Sequence, residues 1–277
     1  NKTKKMIKNF EQYFTINENI EFDKISGLID YTELDPNVSE EELYELAKIS
    51  TNYNFATMCV MPTKVKYLKG VLDEMNKEKG SNVGITTVIS FPHGTNSLME
   101  KITECRKAIS DGADEIDMVL NYKNLIKLFD DSIKPDEMVK MRNGLEREVL
   151  SLSDICHDNG KILKVIVESG ELTDDQTRMA TEICLKSNAD FIKTSTGKTP
   201  VGAELDKVLI MKKLIEDDIF SNHFPMQIDK MKIKASGGIR TANDVRKFLP
   251  YVDRFGIGYQ SVNNILGIDR GTDSDGY

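Results

Sequence analysis

Two lysines lie inside short apolar segments, where a charged residue is uncommon. Lys193 lies within residues 191–196 and Lys234 within residues 232–236, and both segments have the length and composition of β-strands. Two amines held close together resist double protonation, and a neutral amine is a nucleophile toward carbonyl carbon. The pattern is compatible with nucleophilic attack by a lysine on a carbonyl compound. For a single strand lysine the commoner alternative is an amine that pairs with a carboxylate.

Further charged side chains fall on one face of other predicted strands. These side chains are Asp30, Asp117, Lys164 and Glu168. Because side chains alternate between the two faces of a strand, all four are predicted to face the same interior as Lys193 and Lys234. Burial of so many charges is unfavourable unless they pair, so part of the group has a structural role. We assign pairing alone to Asp30 and Glu168 and leave Lys164 open between the two roles. Asp117 is regarded as a carboxylate able to move protons.

Strand-like and helix-like segments alternate from residue 25 to residue 266. Strands are predicted at 25–34, 55–61, 83–91, 115–121, 162–168, 191–196, 232–236 and 254–258. Eight parallel strands, each followed by a helix, close into an α/β fold, the (β/α)8 TIM barrel. An open doubly wound sheet is the alternative. Helices cover both faces of such a sheet, which disfavours charged residues on its strands.

The segments outside the barrel are predicted to be accessory. Apolar residues at helical spacing in residues 1–18 predict an extra N-terminal helix within an arm formed by residues 1–24, with a partly disordered arm as the alternative. The Gly- and Asp-rich residues 267–277 are predicted to form a flexible C-terminal tail.

Composition excludes several function classes. The formal net charge of −8 argues against general nucleic-acid binding. The chain has no apolar run long enough for a membrane span and no secretory signal, so a cytoplasmic protein is expected. The four cysteines show no CxxC pairing and the three histidines are scattered, which predicts reduced thiols and no metal site.

The segments that carry the charges resemble the deoxyribose-phosphate aldolases, a family of class I (Schiff-base) aldolases. The most specific matches are KVIVESGEL at 164–172, DFIKTSTGK at 190–198 and KASGGIRT at 234–241. Shorter matches are IDYT at 29–32, CVMP at 59–62, FPHG at 91–94 and GADEID at 112–117. The resemblance implies a TIM barrel that reversibly cleaves 2-deoxy-D-ribose 5-phosphate to acetaldehyde and D-glyceraldehyde 3-phosphate, in deoxyribonucleotide catabolism.

The resemblance also implies roles for individual residues. Lys193 would form the Schiff base, Lys234 would be the second lysine that perturbs it, and Asp117 would transfer protons. Neither a cofactor nor a metal is implied. The ligands would be a small phosphorylated sugar and aldehydes, without nucleic acid or membrane, and the sequence leaves a homodimer or a larger homo-oligomer open.

The phosphate is expected at the loops after strands 7 and 8, where TIM barrels commonly bind one. The predicted substrate- and phosphate-binding residues are Asp30, Cys59, Thr196, Gly197, Lys198, Ser236, Gly237, Gly238, Gly256 and Gly258. In one departure from the family, the turn after strand 8 carries Gly258 and Tyr259 where serines are usual. The chain also ends in Tyr277, a candidate proton relay, as in some family members.

Two rival functions are compatible with the same barrel. The first is a catalytically silent, aldolase-like barrel that acts as a binding protein, which the intact Asp117, Lys193 and Lys234 disfavour. The second is a Schiff-base aldolase for a different phosphorylated sugar, which product analysis would separate.

Overall fold

The computed structural model describes residues 25–221 and 231–267. Eight parallel strands pair in chain order, and the last pairs with the first, so that the sheet closes. They are β1 (Ile29–Glu33), β2 (Thr57–Val60), β3 (Gly84–Ile89), β4 (Glu115–Val119), β5 (Ile162–Ile166), β6 (Phe191–Lys193), β7 (Lys232–Ser236) and β8 (Arg254–Gly258). The predicted TIM barrel is confirmed. The predicted N-terminal arm and residues 268–277 of the predicted C-terminal tail, including Tyr277, lie outside the described residues.

Helices connect successive strands and cover the outside of the barrel. They are α1 (Glu40–Tyr53), α2 (Val65–Lys79), α3 (Leu98–Asp111), α4 (Tyr122–Lys127), α5 (Pro135–Asp158), α6 (Asp174–Lys186), α7 (Leu205–Ser221), α8 (Ala242–Phe248) and α9 (Tyr259–Leu266). Capping boxes at Ser97, Thr173 and Thr241 satisfy free amides where α3, α6 and α8 begin. None of the described helices is long and apolar enough to cross a bilayer.

The strands separate two kinds of buried environment. Their outward side chains, such as Ile116, Met118, Leu163 and Val165, are fully buried against the helices and form the apolar core. Their inward side chains include fully buried charged groups, which the next section describes. The period of two residues in each strand therefore places apolar packing and polar chemistry on opposite sides of one sheet.

A buried ion pair outside the barrel anchors the end of β4. The Lys101 amine on α3 pairs with Glu148 on α5 and donates to the Val119 carbonyl at 2.8 Å. Burial lowers the pKa of Lys101 and raises that of Glu148. The pair therefore connects two helices to the strand that carries Asp117.

Candidate active site

Asp117 lies at the centre of β4 and its side chain is fully buried inside the barrel. Its Oδ2 accepts hydrogen bonds from Lys193 Nζ at 2.6 Å and from Lys234 Nζ at 2.7 Å. Its Oδ1 accepts one from Lys164 Nζ at 2.8 Å. The structure thus brings together the three residues that the sequence predicts for catalysis, with a third lysine beside them.

The two lysines that share Oδ2 have opposite pKa shifts. Burial lowers the pKa of Lys193, and the positive charge of Lys234 lowers it further, although Asp117 acts in the other direction. Burial also disfavours the charged form of Lys234, but Asp117 and Asp30 outweigh it and raise the pKa of Lys234. Lys193 is therefore the lysine that loses its proton more easily.

A second layer of charges lies next to Asp117. Arg254 Nη1 donates to Asp30 Oδ1 at 2.6 Å and to Glu115 Oε2 at 3.2 Å. Lys164 is 2.6 Å from Glu115 Oε2, and Lys234 also pairs with Asp30. The predicted pairing of Asp30 is present. Arg254 and Glu115 were absent from the predicted interior group, although their alternation with Phe255 and Ile116 was a usable signal.

The interior charges balance when one amine is neutral. Four cationic side chains and three carboxylates form this connected group, namely Lys164, Lys193, Lys234 and Arg254 with Asp30, Glu115 and Asp117. Uncompensated charge is costly in a buried site. Among the four cationic groups, Lys193 alone has a lowered pKa, because the pKa values of the other three are raised. The balance supports a neutral Lys193.

A cavity of about 260 Å³ opens at the carboxyl end of the strands, above Lys193. Of the predicted binding residues it is lined by Thr196, Gly197, Lys198, Ser236, Gly237, Gly238, Gly256 and Gly258. Lining residues that were not in that prediction include Thr32, Arg240 and Ser261. Ser261 follows the altered turn after β8 and lies in the first turn of α9, so this wall of the cavity contains a serine.

Two predicted substrate-binding residues lie below the cavity rather than in its wall. Asp30 is occupied by Arg254 and Lys234, and Cys59 is fully buried next to β1 and β3. Burial raises the pKa of the Cys59 thiol. Alternation gives the face of a strand but not the depth along the barrel axis, which explains the difference.

Glu168 does not form the ion pair that is predicted for it from the sequence. Its carboxylate accepts hydrogen bonds from Thr196 and Thr199 on the loop after β6. Within residues 25–217 and 231–267, no lysine or arginine nitrogen lies within 4 Å of this carboxylate. The residue follows the end of β5 in a left-handed conformation, where the strand alternation no longer applies.

The described residues hold no group of three or more His, Cys, Asp or Glu side chains arranged for a metal ion. The chemistry that this geometry supports is that of an amine. A buried lysine with a lowered pKa, open to a cavity and beside a second lysine, can attack an aldehyde carbonyl.

Comparison with known proteins agrees with this chemistry. Residues 29–252 match the model of the DeoC/LacD family of aldolases. The chain is 37% identical to the deoxyribose-phosphate aldolase of Caldicellulosiruptor saccharolyticus over 82% of its own length and 90% of that protein. It is 34% identical to that of Treponema denticola, over 88% and 97%.

A solved structure shares the fold. The tetrameric deoxyribose phosphate aldolase of Aeropyrum pernix superposes with a TM-score of 0.70 at 23% identity, covering 89% of this chain and 91% of that one. The family match spans all the strands from β1 to β7, including those that bear Asp117, Lys193 and Lys234. The lysine-centred barrel described above therefore belongs to the DeoC/LacD family of aldolases, and the protein is a carbon–carbon lyase.

Proposed function

We propose that this aldolase reversibly cleaves 2-deoxy-D-ribose 5-phosphate to acetaldehyde and D-glyceraldehyde 3-phosphate through a Schiff base on Lys193. The observation that carries the proposal is the position of Lys193. Its amine opens to the cavity, has a lowered pKa and lies beside the Lys234 ammonium.

In the proposed reaction the neutral Lys193 amine attacks the C1 aldehyde of the open-chain sugar, and loss of water leaves an iminium ion. The iminium withdraws electrons from the C2–C3 bond. As the C3 hydroxyl loses its proton, this bond breaks and glyceraldehyde 3-phosphate leaves, so that an enamine remains on Lys193. Protonation at C2 and hydrolysis then release acetaldehyde and restore the amine.

Asp117 and Lys234 are assigned to proton transfer. The three lysines hold the pKa of Asp117 well below its ordinary range despite its burial, so the resting carboxylate is an anion. We assign to it, acting through a water molecule beside Lys234, the removal of the C3 hydroxyl proton. The raised pKa of Lys234 keeps that amine protonated, and its charge favours the free amine of Lys193.

The phosphate is assigned to the outer part of the cavity. Lys198 and Arg240 are exposed cations in its wall, on the loops after β6 and β7. Gly237 and Gly238 have positive φ angles of 80° and 76°, which glycine adopts without strain, and expose their backbone between these loops. The helix α9 begins at Tyr259 directly after β8, which adds free amide groups.

The rival functions have less support. A binding protein without catalytic activity has no need for a lysine with a lowered pKa at the floor of an open cavity, whereas a Schiff-base enzyme does. A different phosphorylated sugar would use the same lysine and the same cations, so product analysis decides between the two substrates.

The decisive experiment is borohydride reduction in the presence of acetaldehyde, followed by peptide mass mapping. An ethyl adduct is expected on Lys193, together with release of acetaldehyde from 2-deoxyribose 5-phosphate by the untreated enzyme. An adduct on Lys164 or Lys198 would overturn the assignment. Adduct formation without cleavage of this sugar would favour another substrate.

We further propose a cytosolic homo-oligomer. The Aeropyrum pernix relative is tetrameric. The four cysteines are free, as expected in a reducing compartment. Size-exclusion chromatography with light scattering measures the number of subunits.

A further inference from the structure

Glu168 has a backbone conformation that its residue type disfavours. Its φ and ψ are 52° and 55°, in the left-handed region. The other described non-glycine residues with positive φ are Asn54, Ser90 and Asn188. Asparagine tolerates this region because its short side chain bonds locally, whereas a long side chain does not. A glutamate in such a conformation indicates that its carboxylate has a use.

The Glu168 carboxylate is fully buried and holds the loop that follows β6. It accepts the Thr196 N–H at 3.2 Å, the Thr196 hydroxyl at 2.5 Å and the Thr199 hydroxyl at 3.1 Å. In the part of the chain that the structure describes, these loop groups satisfy the carboxylate without any ion pair. The side chain therefore fixes both ends of a four-residue turn.

The same hydrogen bonds continue into the cavity wall. The Thr196 hydroxyl, which donates to Glu168, accepts the Lys198 N–H at 3.0 Å. Gly197 lies between them with a φ of 75°. Thr196, Gly197 and Lys198 line the cavity, whereas Glu168 does not.

We infer that Glu168 is a positioning residue that gives the aldolase its preference for a phosphorylated sugar. The inference rests on the proposed function. Glu168 holds the turn that presents Lys198 and the neighbouring backbone to the phosphate, so its loss lets this wall relax. Lys193 precedes the turn and is held in β6 between β5 and β7, so the amine chemistry does not depend on the turn.

Two substitutions separate the carboxylate from the backbone. Glu168→Gly removes the side chain at a φ that glycine adopts freely. Glu168→Gln keeps an acceptor for Thr196, and its amide can donate to Thr199, whose hydroxyl already has the Val201 carbonyl at 3.1 Å as a second acceptor. The measured quantity is kcat/KM for 2-deoxyribose 5-phosphate and for unphosphorylated 2-deoxyribose.

Glu168→Gly is expected to lower kcat/KM for the phosphorylated sugar roughly tenfold or more, through KM, since charge-assisted contacts are lost. The value for 2-deoxyribose should stay within about twofold, as expected when no phosphate contact is involved. The inhibition constant of inorganic phosphate should rise in parallel with the KM. Glu168→Gln should restore most of the loss.

Several outcomes would overturn the inference. They are an equal loss for both sugars, no change for either, or a glutamine variant as impaired as the glycine variant. Glu148→Gln removes a buried carboxylate on α5, outside the barrel, and should leave the ratio of the two sugars unchanged. A changed ratio there would mean that the ratio reports general destabilisation.

A second variant tests the inference if Glu168→Gly does not fold. Thr199→Val removes one donor to Glu168 without touching the cavity and should shift the ratio in the same direction by a smaller factor. An unchanged ratio would count against the inference. Absence of the acetaldehyde adduct on Lys193 in the wild type would refute the proposed function instead, so the two failures are distinguishable.

Discussion

Lys193 and Lys234 are register partners on β6 and β7, and both amines donate to the same oxygen, Oδ2 of Asp117. Their other partners differ. Lys234 also pairs with Asp30, whereas Lys193 has no second carboxylate within 4 Å among the described residues. Burial acts against the charged form of both lysines. With Asp117 alone as its carboxylate partner, Lys193 keeps a lowered pKa, whereas Asp117 and Asp30 together outweigh burial and raise the pKa of Lys234.

The first prediction concerns the pH dependence of imine formation. A lowered pKa means that Lys193 loses its proton at a lower pH than an ordinary lysine, so the free amine is present closer to neutrality. Lys234→Met removes a positive neighbour and leaves Asp117 more available to the Lys193 ammonium, so the pKa should rise. A rise of one unit lowers the fraction of free amine at pH 7 roughly tenfold.

The measurement is the rate of acetaldehyde trapping by borohydride between pH 6 and pH 10. Lys232→Met is the matched control, because Lys232 lies two residues earlier on β7 but is exposed. Its rate profile should match the wild type. An unshifted profile for Lys234→Met would show that Lys234 does not tune Lys193.

The second prediction concerns Asp117→Asn. The variant should lose activity on the order of 10²-fold or more, because a positioned proton-transfer group is removed. It also leaves the buried cations with one carboxylate fewer, which should lower the free energy of unfolding by roughly 3 kcal/mol. The fold should survive, as judged by circular dichroism.

Acid titration of stability gives a further check on Asp117. Since its folded pKa is lowered, the carboxylate stabilises the fold above the pKa of the unfolded state, and this contribution is lost as the pH falls. Unfolding of Asp117→Asn should therefore depend less on pH in the acid range.

A wild-type rate of sugar cleavage by Asp117→Asn would mean that another group removes the C3 hydroxyl proton.

The barrel and its inward charges could be predicted because each depends on a simple period. Strand-like segments repeat with intervening helices, and within each strand the side chains alternate between two faces. The sequence does not decide between pairing and chemistry for Lys164. It contacts Asp117 at 2.8 Å and Glu115 at 2.6 Å, so pairing is present whatever else it does.

Other parts of the site could not be predicted, because the periodic patterns of strands and helices do not determine them. The depth of Asp30 and Cys59 below the cavity depends on the stagger of neighbouring strands. The contacts of Glu168 depend on a left-handed residue after β5, which ends the alternation. Arg240 reaches the cavity from the loop after β7, and Ser261 from the first turn of α9, so the alternation of a strand applies to neither residue.

The third prediction concerns the ion pair that anchors β4. Lys101→Met leaves the nearly buried Glu148 carboxylate without its cation, and the free energy of unfolding should fall by about 3–5 kcal/mol. The added substitution Glu148→Leu should recover most of the loss, because no buried charge then remains. Urea unfolding measures each value.

Lys107→Met on the same helix is the control for Lys101→Met. Lys107 pairs with Asp111 at the surface, where its side chain is 68% exposed. Such a pair contributes at most about 1 kcal/mol. Equal losses for the two lysine variants would mean that burial does not decide the contribution of the α3–α5 pair.

The fourth prediction distinguishes two roles for Gly256. The sequence predicts that it binds phosphate, but a Cβ added there would lie 2.9 Å from Ser236 Cβ and 3.0 Å from Lys234 Cε. Gly256→Ala should therefore displace Lys234 from Asp117. Since a misplacement of about 1 Å can lower the rate on the order of 10²-fold, a large loss of kcat is expected.

The comparison of two sugars separates the roles. If Gly256 makes room for Lys234, Gly256→Ala should impair 2-deoxyribose 5-phosphate and unphosphorylated 2-deoxyribose by the same factor, because Lys234 serves the chemistry at C1 to C3. Gly27→Ala, where nothing lies within 4 Å of the added methyl, should leave both rates near those of the wild type. A loss confined to the phosphorylated sugar would instead assign Gly256 to the phosphate wall, together with the turn that Glu168 holds.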